Sequence, residues 1–267
     1  MQRRQFLTTS LAATAATVSA KAQQAAPNAQ QNRAREYYEL RRYHLESGPQ
    51  TKLTNDYLEN ALIPGLNRLG IKPVGVFNLV IGVETPSLYV LIPCTSVETL
   101  VRSEFRLRED DQYMTAGEKF LKAPAKEPAY TRVESSLMIA FEGWPKLIVP
   151  PVSGKEGKRV FELRTYESPS NADHWRKVEM FHSGEFEAFK NAGFWQIFFG
   201  DVLIGSRLPK LTYMLGFPSL SERDDKWKAF SADPTWKKLT SDPRFNYESI
   251  VTNVTNVIVS PTSYSQI

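Results

Sequence analysis

The sequence is poor in the residues that form covalent cross-links and many common catalytic sites. It contains a single cysteine, Cys94, so an intrachain disulfide and thiol–disulfide exchange within one chain are both excluded. Only three histidines are present, and no cluster of cysteine and histidine has the spacing of a metal site. The serine nucleophile elbow, the glycine-rich phosphate loop and the dinucleotide-binding fingerprint are missing as well. No familiar catalytic signature therefore identifies a reaction.

Long hydrophobic runs are missing beyond the N-terminus. An apolar stretch at 6–20 follows Arg3 and Arg4 and precedes a small-x-small site that ends at Ala22. This stretch is too short and too polar to span a bilayer, which takes about 20 strongly apolar residues. The pattern predicts a twin-arginine export signal at 1–22, cleavage after Ala22 and a periplasmic or otherwise exported protein. The alternative is an ordinary secretory signal that carries two arginines.

The mature chain would have almost no excess of charge of either sign. The whole sequence carries a formal net charge of +4, and loss of the three basic leader residues, Arg3, Arg4 and Lys21, would leave +1. A nearly neutral chain gives no electrostatic reason to expect binding to nucleic acid or to an anionic membrane. We therefore expect no nucleic-acid partner and no membrane insertion after signal cleavage.

A five-residue pattern occurs twice, as Glu-Leu-Arg-Arg-Tyr at 39–43 and as Glu-Leu-Arg-Thr-Tyr at 162–166. The copies are 123 positions apart, and this offset holds without a gap for about sixty residues. Along it Gly70 aligns with Gly193, and Pro86 aligns with Pro209. A period this long indicates duplicated domains, because solenoid repeats run about 20–50 residues.

Each half predicts the order strand, helix, strand, strand, helix, strand. The halves are predicted at 36–144 and 159–261, with a linker rich in proline and glycine at 145–158 and a flexible tether at 23–35. The order is that of a ferredoxin-like βαββαβ unit, in which helices cover one face of the sheet and leave the other bare. The predicted fold class is α+β, with two such units in one chain packed sheet to sheet.

Two local predictions follow from breaker residues and composition. Pro64 lies inside the helix predicted at 52–69 and should kink it or remove its last turn. The stretch 247–259 is rich in β-branched residues and is predicted as one long strand.

Strand alternation divides each repeated pattern between two faces of its sheet. The aromatic and leucine side chains share one face, which we expect to lie under the helices. The opposite face should lie where the two sheets meet. It carries two Glu-Arg-Tyr stripes, which are Glu39, Arg41 and Tyr43 in the first copy and Glu162, Arg164 and Tyr166 in the second.

Two interpretations of the Glu-Arg-Tyr stripes stay open. Buried charges are costly unless they are paired, so the stripes could be a polar lock that fixes how the halves meet. Alternatively, Arg41 and Arg164 could line a pocket for a small anionic or carbonyl substrate. Duplication favours the lock, because one active site rarely needs both copies intact.

The repeated Glu-Leu-Arg-x-Tyr strand, the long amphipathic helix and the glycine-led strand resemble those of the NIPSNAP family. The resemblance covers essentially the whole mature chain, and it implies an intrachain dimeric α+β barrel. It implies little about chemistry, because proteins of this fold include cofactor-independent oxygenases, isomerases and haem enzymes. We expect small-molecule binding between the two sheets. A non-enzymatic interaction module and a cofactor-independent oxygenase or isomerase are the alternatives, and homo-oligomerisation is left open.

The three histidines give weak signals. His44 has no repeat partner, because position 167 is Glu, and it is the best acid–base candidate if the protein is an enzyme. His174 and His182 are eight positions apart on one predicted helix, whereas helical metal ligands prefer a spacing of four, so we expect packing roles and no metal. No cofactor is predicted; haem would need one of these imidazoles as its axial ligand.

Overall fold

Eight antiparallel strands close into a barrel in the computed structural model, which describes residues 34–151 and 159–267. The strands of the first half are β1 (Tyr37–His44), β2 (Gly75–Ile81), β3 (Ser87–Cys94) and β4 (Arg132–Ala140). Those of the second half are β5 (Val160–Glu167), β6 (Trp195–Ile204), β7 (Lys210–Phe217) and β8 (Asn253–Pro261). The predicted export signal, most of the tether and the linker residues 152–158 lie outside the described residues.

The two halves share the barrel through both of its seams. The order of strands is β1-β3-β2-β8-β5-β7-β6-β4, so β2 pairs with β8 and β4 pairs with β6. Each half contributes four adjacent strands in βαββαβ order, and the faces left bare by the helices enclose the interior. The predicted α+β fold of two ferredoxin-like units packed as an intrachain dimeric α+β barrel is confirmed.

Helices cover the outside of the barrel. The first half has α1 (Pro49–Tyr57), a π-helical segment (Leu58–Leu62), α2 (Ile63–Arg68), α3 (Val97–Leu107), α4 (Asp111–Ala116) and α5 (Glu118–Leu121). The second half has α6 (Asn171–Met180), a π-helical segment (Phe181–Glu185), α7 (Phe186–Asn191), α8 (Leu220–Ala232), α9 (Pro234–Thr240), a 3₁₀ turn (Pro243–Phe245) and α10 (Tyr247–Ile250). No described helix is both long and apolar enough to cross a membrane.

Equivalent residues begin and end the helices of the two halves. Ser96 and Ser219 accept hydrogen bonds from backbone amides three residues on, and so cap the N-termini of α3 and α8. Gly70 and Gly193 follow the first helix of each half with φ of 79° and 76°, a left-handed conformation that glycine adopts without strain. The repeated sequence positions are therefore repeated structural signals.

Two local predictions differ from the structure. Pro64 does not remove the last turn of its helix, which continues to Arg68, and the π-helical segment Leu58–Leu62 ends two residues before the proline. The stretch predicted as one strand at 247–259 begins as α10, in which Ile250 donates to the carbonyl of Asn246, and β8 starts only at Asn253. Propensity for strand was overridden there by packing, since the Tyr247 ring contacts that of Tyr166.

Three apolar cores organise the molecule. One lies between the sheet and helices of each half, and the third fills the barrel with side chains from both halves. The barrel core includes Tyr38, Phe77, Phe161, Phe198 and Val259. These side chains come from both halves and pack together in the barrel interior.

Candidate functional site

The Glu-Arg-Tyr stripes lie on the outer face of the sheet, beneath the helices, so the prediction that they line the meeting of the two sheets was wrong. Tyr43 and Tyr166 pack in the helix–sheet cores of the first and second halves. Tyr38 and Phe161, from alternate positions of the same strands, point into the barrel. The physical reason is pairing: charged stripes find partners on the helices, whereas apolar side chains need none to fill the shared interior.

Glu162 is the centre of the second stripe and is completely buried. Its carboxylate accepts hydrogen bonds from Arg164 at 2.8 Å, from Arg223 and Trp227 on α8 at 2.8 Å, and from Asn256 on β8 at 2.6 Å. Burial alone would raise the pKa of Glu162, but the hydrogen bond from Arg223 and the charge of Arg164 lower it overall. This carboxylate therefore joins the strand to α8.

The second stripe continues into a buried network under α6. The Arg164 guanidinium donates to the Tyr166 hydroxyl at 3.1 Å, and that hydroxyl lies 2.8 Å from the Tyr213 hydroxyl. Beside them Lys177 donates to Glu185 at 2.6 Å, and both side chains are buried. Burial lowers the pKa of Lys177 and raises that of Glu185, because each charge has lost its water.

The first stripe has simpler partners. Arg41 donates to Glu39 at 2.7 Å and to Glu104 on α3 at 3.0 Å, and Ser135 on β4 also donates to Glu39. Each stripe thus ties a strand to a helix of its own half. This geometry favours a polar lock, although one that acts within each half and not between the halves.

A cavity of about 340 Å³ opens at one end of the barrel, between the two sheets. We call it the barrel mouth. It is lined by inward-facing residues of both halves, including the apolar Leu40, Leu163 and Val257. The charged side chains that line it are Arg42, Glu134, Arg207 and Lys210. The leucines lie deeper along β1 and β5 than the charged residues do, so the cavity has an apolar floor and a charged rim.

Lys210 is the most unusual group of the barrel mouth. Only 6 % of the residue is exposed, yet its amine makes no hydrogen bond or ion pair with the described residues. Burial lowers the pKa of the Lys210 amine, the Arg207 guanidinium lowers it further, and Glu167 and Glu134 act in the opposite direction. The amine is not among the fully buried polar atoms and has no partner in the described part of the chain, so it is available for a group that enters the cavity.

Two equivalent turns form the rim. Glu84 and Arg207 are 123 positions apart, and both adopt left-handed backbone conformations, with φ of 64° and 57°. This conformation is uncommon for residues other than glycine and costs about 1–3 kcal/mol, so surrounding contacts must hold it. Glu84 contacts Arg132 at 2.9 Å, and Arg207 contacts Glu167 at 2.8 Å. The same backbone conformation thus carries an acidic residue in one half and a basic residue in the other, and Arg207 is the one of the two that lines the mouth.

His44 lies at the rim, buried between two carboxylates. Its Nδ1 is 2.6 Å from Glu84 and its Nε2 is 3.2 Å from Glu134. Because the carboxylates face opposite ring nitrogens, they do not converge on one metal position. The acid–base role predicted for His44 stays a prediction, although the side chain does lie beside the barrel mouth.

The other two histidines have partners in the fold. His182 Nδ1 donates to the carbonyl of Val178, and its Nε2 accepts from the amide of Gly143 at 3.0 Å. His174 Nε2 lies 2.8 Å from Asp201. Within residues 34–151 and 159–267, no three side chains of His, Cys, Asp or Glu gather where they could hold a metal ion.

Sequence reasoning missed Arg42, Glu134, Arg207 and Lys210 as site residues. The signal for Lys210 was present: it opens a predicted apolar strand, and alternation from Met214 places it inside the barrel. Strand alternation puts Arg42 on the same face as Leu40, and the prediction assigned that face to the helix side of the sheet.

Comparison with solved structures supports the fold. A proposed monooxygenase from Lactobacillus acidophilus NCFM matches with a TM-score of 0.57 at 7% identity, covering 85% of this chain and 94% of that one. A second proposed monooxygenase, from Fusobacterium nucleatum, matches with a TM-score of 0.52 at 8% identity, covering 86% and 93%. Identities this low show a shared fold and nothing about activity.

Comparison with protein families finds a similarity in the second half. A NIPSNAP-like domain protein from Burkholderia xenovorans is 20% identical over 41% of this chain and 90% of that one, with a TM-score of 0.37. Among curated proteins no match is found. The NIPSNAP family model matches residues 161–266, which begin one residue before the second Glu-Leu-Arg-x-Tyr pattern. Residues 161–266 are therefore similar to the NIPSNAP family.

Proposed function

We propose that this protein binds a small organic anion in the barrel mouth, between the two sheets. The observation that carries the proposal is Lys210, a largely buried residue whose amine has no hydrogen-bond or ion-pair partner among the described residues, at a cavity of about 340 Å³. Small-molecule sites combine an apolar surface with a few convergent polar groups, and this cavity has both.

The charges at the mouth favour an anion of modest size. Arg42 lines the same cavity as Lys210. Its Nη2 donates to the carbonyl of Val83 and lies 3.4 Å from Glu84, while its Nε is buried without a hydrogen-bond partner. Arg207 adds a third cation at the rim, and its pairing with Glu167 leaves guanidinium hydrogens free to donate. A carboxylate near these groups would place its apolar body against Leu40 and Leu163.

The arginines of the Glu-Arg-Tyr stripes are not proposed to bind the anion. Arg41 and Arg164 have partners under the helices, and they lie on the opposite face of the sheet from the cavity. One of the two hypotheses from the sequence was an anion pocket lined by Arg41. The cavity is lined instead by the next residue of β1, Arg42. The monooxygenase activity proposed for structural neighbours gains no support from the fold alone.

Benzoate is a suitable probe, because it combines one carboxylate with a flat apolar ring. We expect calorimetry to show benzoate binding and no comparable binding of benzamide, its neutral analogue. Lys210→Met should weaken benzoate binding at least about tenfold, since a hydrogen bond to a charged group contributes about 1.5–3 kcal/mol. Lys228→Met, at an exposed lysine on α8, should bind like the wild type.

Equal binding of benzoate and benzamide, or unchanged binding by Lys210→Met, would contradict an anion site at the mouth. Melting temperatures of the variants separate loss of binding from loss of folding. Arg42→Met gives a second check, because it removes a different cation from the same cavity wall.

A further inference from the structure

We propose that Lys210 is a nucleophile that forms an imine with the carbonyl group of a keto acid bound in the barrel mouth. The inference rests on the proposed function, because the anionic group of the keto acid would occupy the same site. It goes further by assigning a covalent step to one atom, the Nζ of Lys210.

A comparison of buried lysines supports this role. Lys177 and Lys210 are both among the buried residues, at 0 % and 6 % exposed. Lys177 is tied to Glu185 at 2.6 Å, so its amine is already used in the structure. Lys210 has no such carboxylate within ion-pair distance among the described residues, and it lines a cavity. A lysine with a purely structural role would be expected to resemble Lys177.

The surroundings of Lys210 keep its amine reactive. The charged groups that act on it are Arg207 from the β6–β7 turn, Glu167 from β5 and Glu134 from β4. Burial and the neighbouring Arg207 favour the neutral amine, which is the nucleophilic form. Desolvation and an adjacent cation are the means by which proteins activate a lysine toward carbonyl compounds.

The cavity also provides for the rest of the substrate and for proton transfer. Arg42 is placed to bind the carboxylate of a keto acid. Glu134 lines the same cavity and is a carboxyl group that can exchange a proton with the reacting atoms. At the repeat position of Lys210 the first half has Ser87, whose hydroxyl donates to the carbonyl of Glu84. The amine is therefore specific to one side of the mouth.

The proposed step is balanced without an oxidant or a metal. The Nζ lone pair forms a C–N bond to the carbonyl carbon, and the nitrogen loses a proton as the carbonyl oxygen gains one. The resulting carbinolamine then loses its hydroxyl as water, with a proton supplied by Glu134 or solvent, and the C=N bond forms as a protonated imine. Its nitrogen returns one proton to the same group or to solvent, which leaves the neutral imine. The overall change is amine plus carbonyl to imine plus water.

The test is reductive trapping with pyruvate and sodium cyanoborohydride on the folded chain, followed by peptide mapping. We expect Lys210 to be labelled severalfold faster than exposed lysines such as Lys228, and benzoate to slow that labelling by competition. Lys210→Arg is the matched variant, since it keeps a cation for anion binding but cannot form the imine. It should retain benzoate binding within a few-fold and lose the specific label.

The outcomes separate this inference from the proposed function. If pyruvate displaces benzoate but labelling is spread evenly over exposed lysines, the imine is overturned and anion binding stands. If benzoate binds and pyruvate does not, the imine is overturned in the same way. If neither benzoate nor pyruvate binds and no specific label forms, both proposals fail. A benzoate-sensitive label at Lys210, absent from Lys210→Arg, supports both.

Discussion

The two Glu-Arg-Tyr stripes have the same residues at equivalent positions but different surroundings. Glu162 is fully buried and receives hydrogen bonds from four residues, whereas the Glu39 side chain is 18% exposed and is bound by Arg41 and Ser135. The difference comes from the covering helix: the position that is Glu104 on α3 is Trp227 on α8. Both copies of a duplicated motif can thus join a strand to a helix while contributing different amounts to the free energy of unfolding.

Replacing the glutamate of each stripe separately should give the largest difference in stability between the two stripes. We expect Glu162→Ala to lower the free energy of unfolding by an amount near the upper end of about 3–5 kcal/mol, because Arg164 and Arg223 lose their shared buried carboxylate. Glu39→Ala should cost about 1 kcal/mol, since Arg41 keeps Glu104 and the site is partly solvated. Urea denaturation measures both, and equal losses would show that burial does not separate the stripes.

The pH dependence of the same variants provides a control. Glu162 has a lowered pKa in the folded state, so its contribution is present above the ordinary glutamate value of 4.5 and is lost as the pH falls through the lowered value. Glu162→Ala should therefore lose less stability on acidification than the wild type. A wild-type profile that matches the variant would contradict this assignment.

The buried Lys177–Glu185 pair should give the next largest effect, because only the second half has it. The equivalent positions in the first half are Thr54 and Leu62. Lys177→Met should cost an amount near the lower end of about 3–5 kcal/mol at neutral pH, since Glu185 can escape part of the penalty by taking up a proton.

The two single variants of this pair should respond to pH in opposite directions. With Lys177 removed, the raised pKa of Glu185 means that the folded state holds more protons, so stability should fall as pH rises above 4.5. In Glu185→Gln, the lowered pKa of Lys177 means that the folded state holds fewer protons, so stability should rise as pH approaches 10.5. Parallel profiles would argue that this pair is not buried.

Substitutions at the helix positions that cover the stripes should give the smallest difference in stability between the two halves. Trp227→Phe removes one hydrogen bond to a buried charge at 2.8 Å and should cost about 1.5–3 kcal/mol. Glu104→Gln weakens an ion pair whose carboxylate is about half exposed, and it should cost less than about 1 kcal/mol. Thermal unfolding of both variants checks the order, and a reversed order would mean that Arg41 depends on α3 more than its exposure suggests.

The sequence predicted the fold well because duplication doubled every local signal. The offset of 123 residues marked the capping serines, the glycines after the first helices and the strand order in both halves. Strand alternation also separated the two faces of β1 and β5 correctly. What alternation could not supply was which face turns inward, because that depends on partners from distant helices such as Arg223 and Trp227.

The candidate site was harder to predict for the same reason. Lys210 and Arg42 belong to different halves, and no local pattern brings them together. Only closure of the barrel places both at one cavity. His44 was identified because it broke the repeat, and Lys210, aligned with Ser87, breaks it in the same way. Departures from the repeat were therefore more informative about the site than its matches.

The two π-helical segments interrupt the first helix of each half at equivalent positions. They occupy Leu58–Leu62 and Phe181–Glu185, which are the same positions of the repeat. A π turn holds one residue more than an α turn, and a residue gained or lost there rotates the helix that follows by about 100°. Because the offset of 123 residues continues unbroken past both segments to Ser96 and Ser219, neither copy gained or lost a residue alone. Both halves therefore interrupt the first helix at the same place, but the second half does so with a kink at Gly184, whose backbone is not helical.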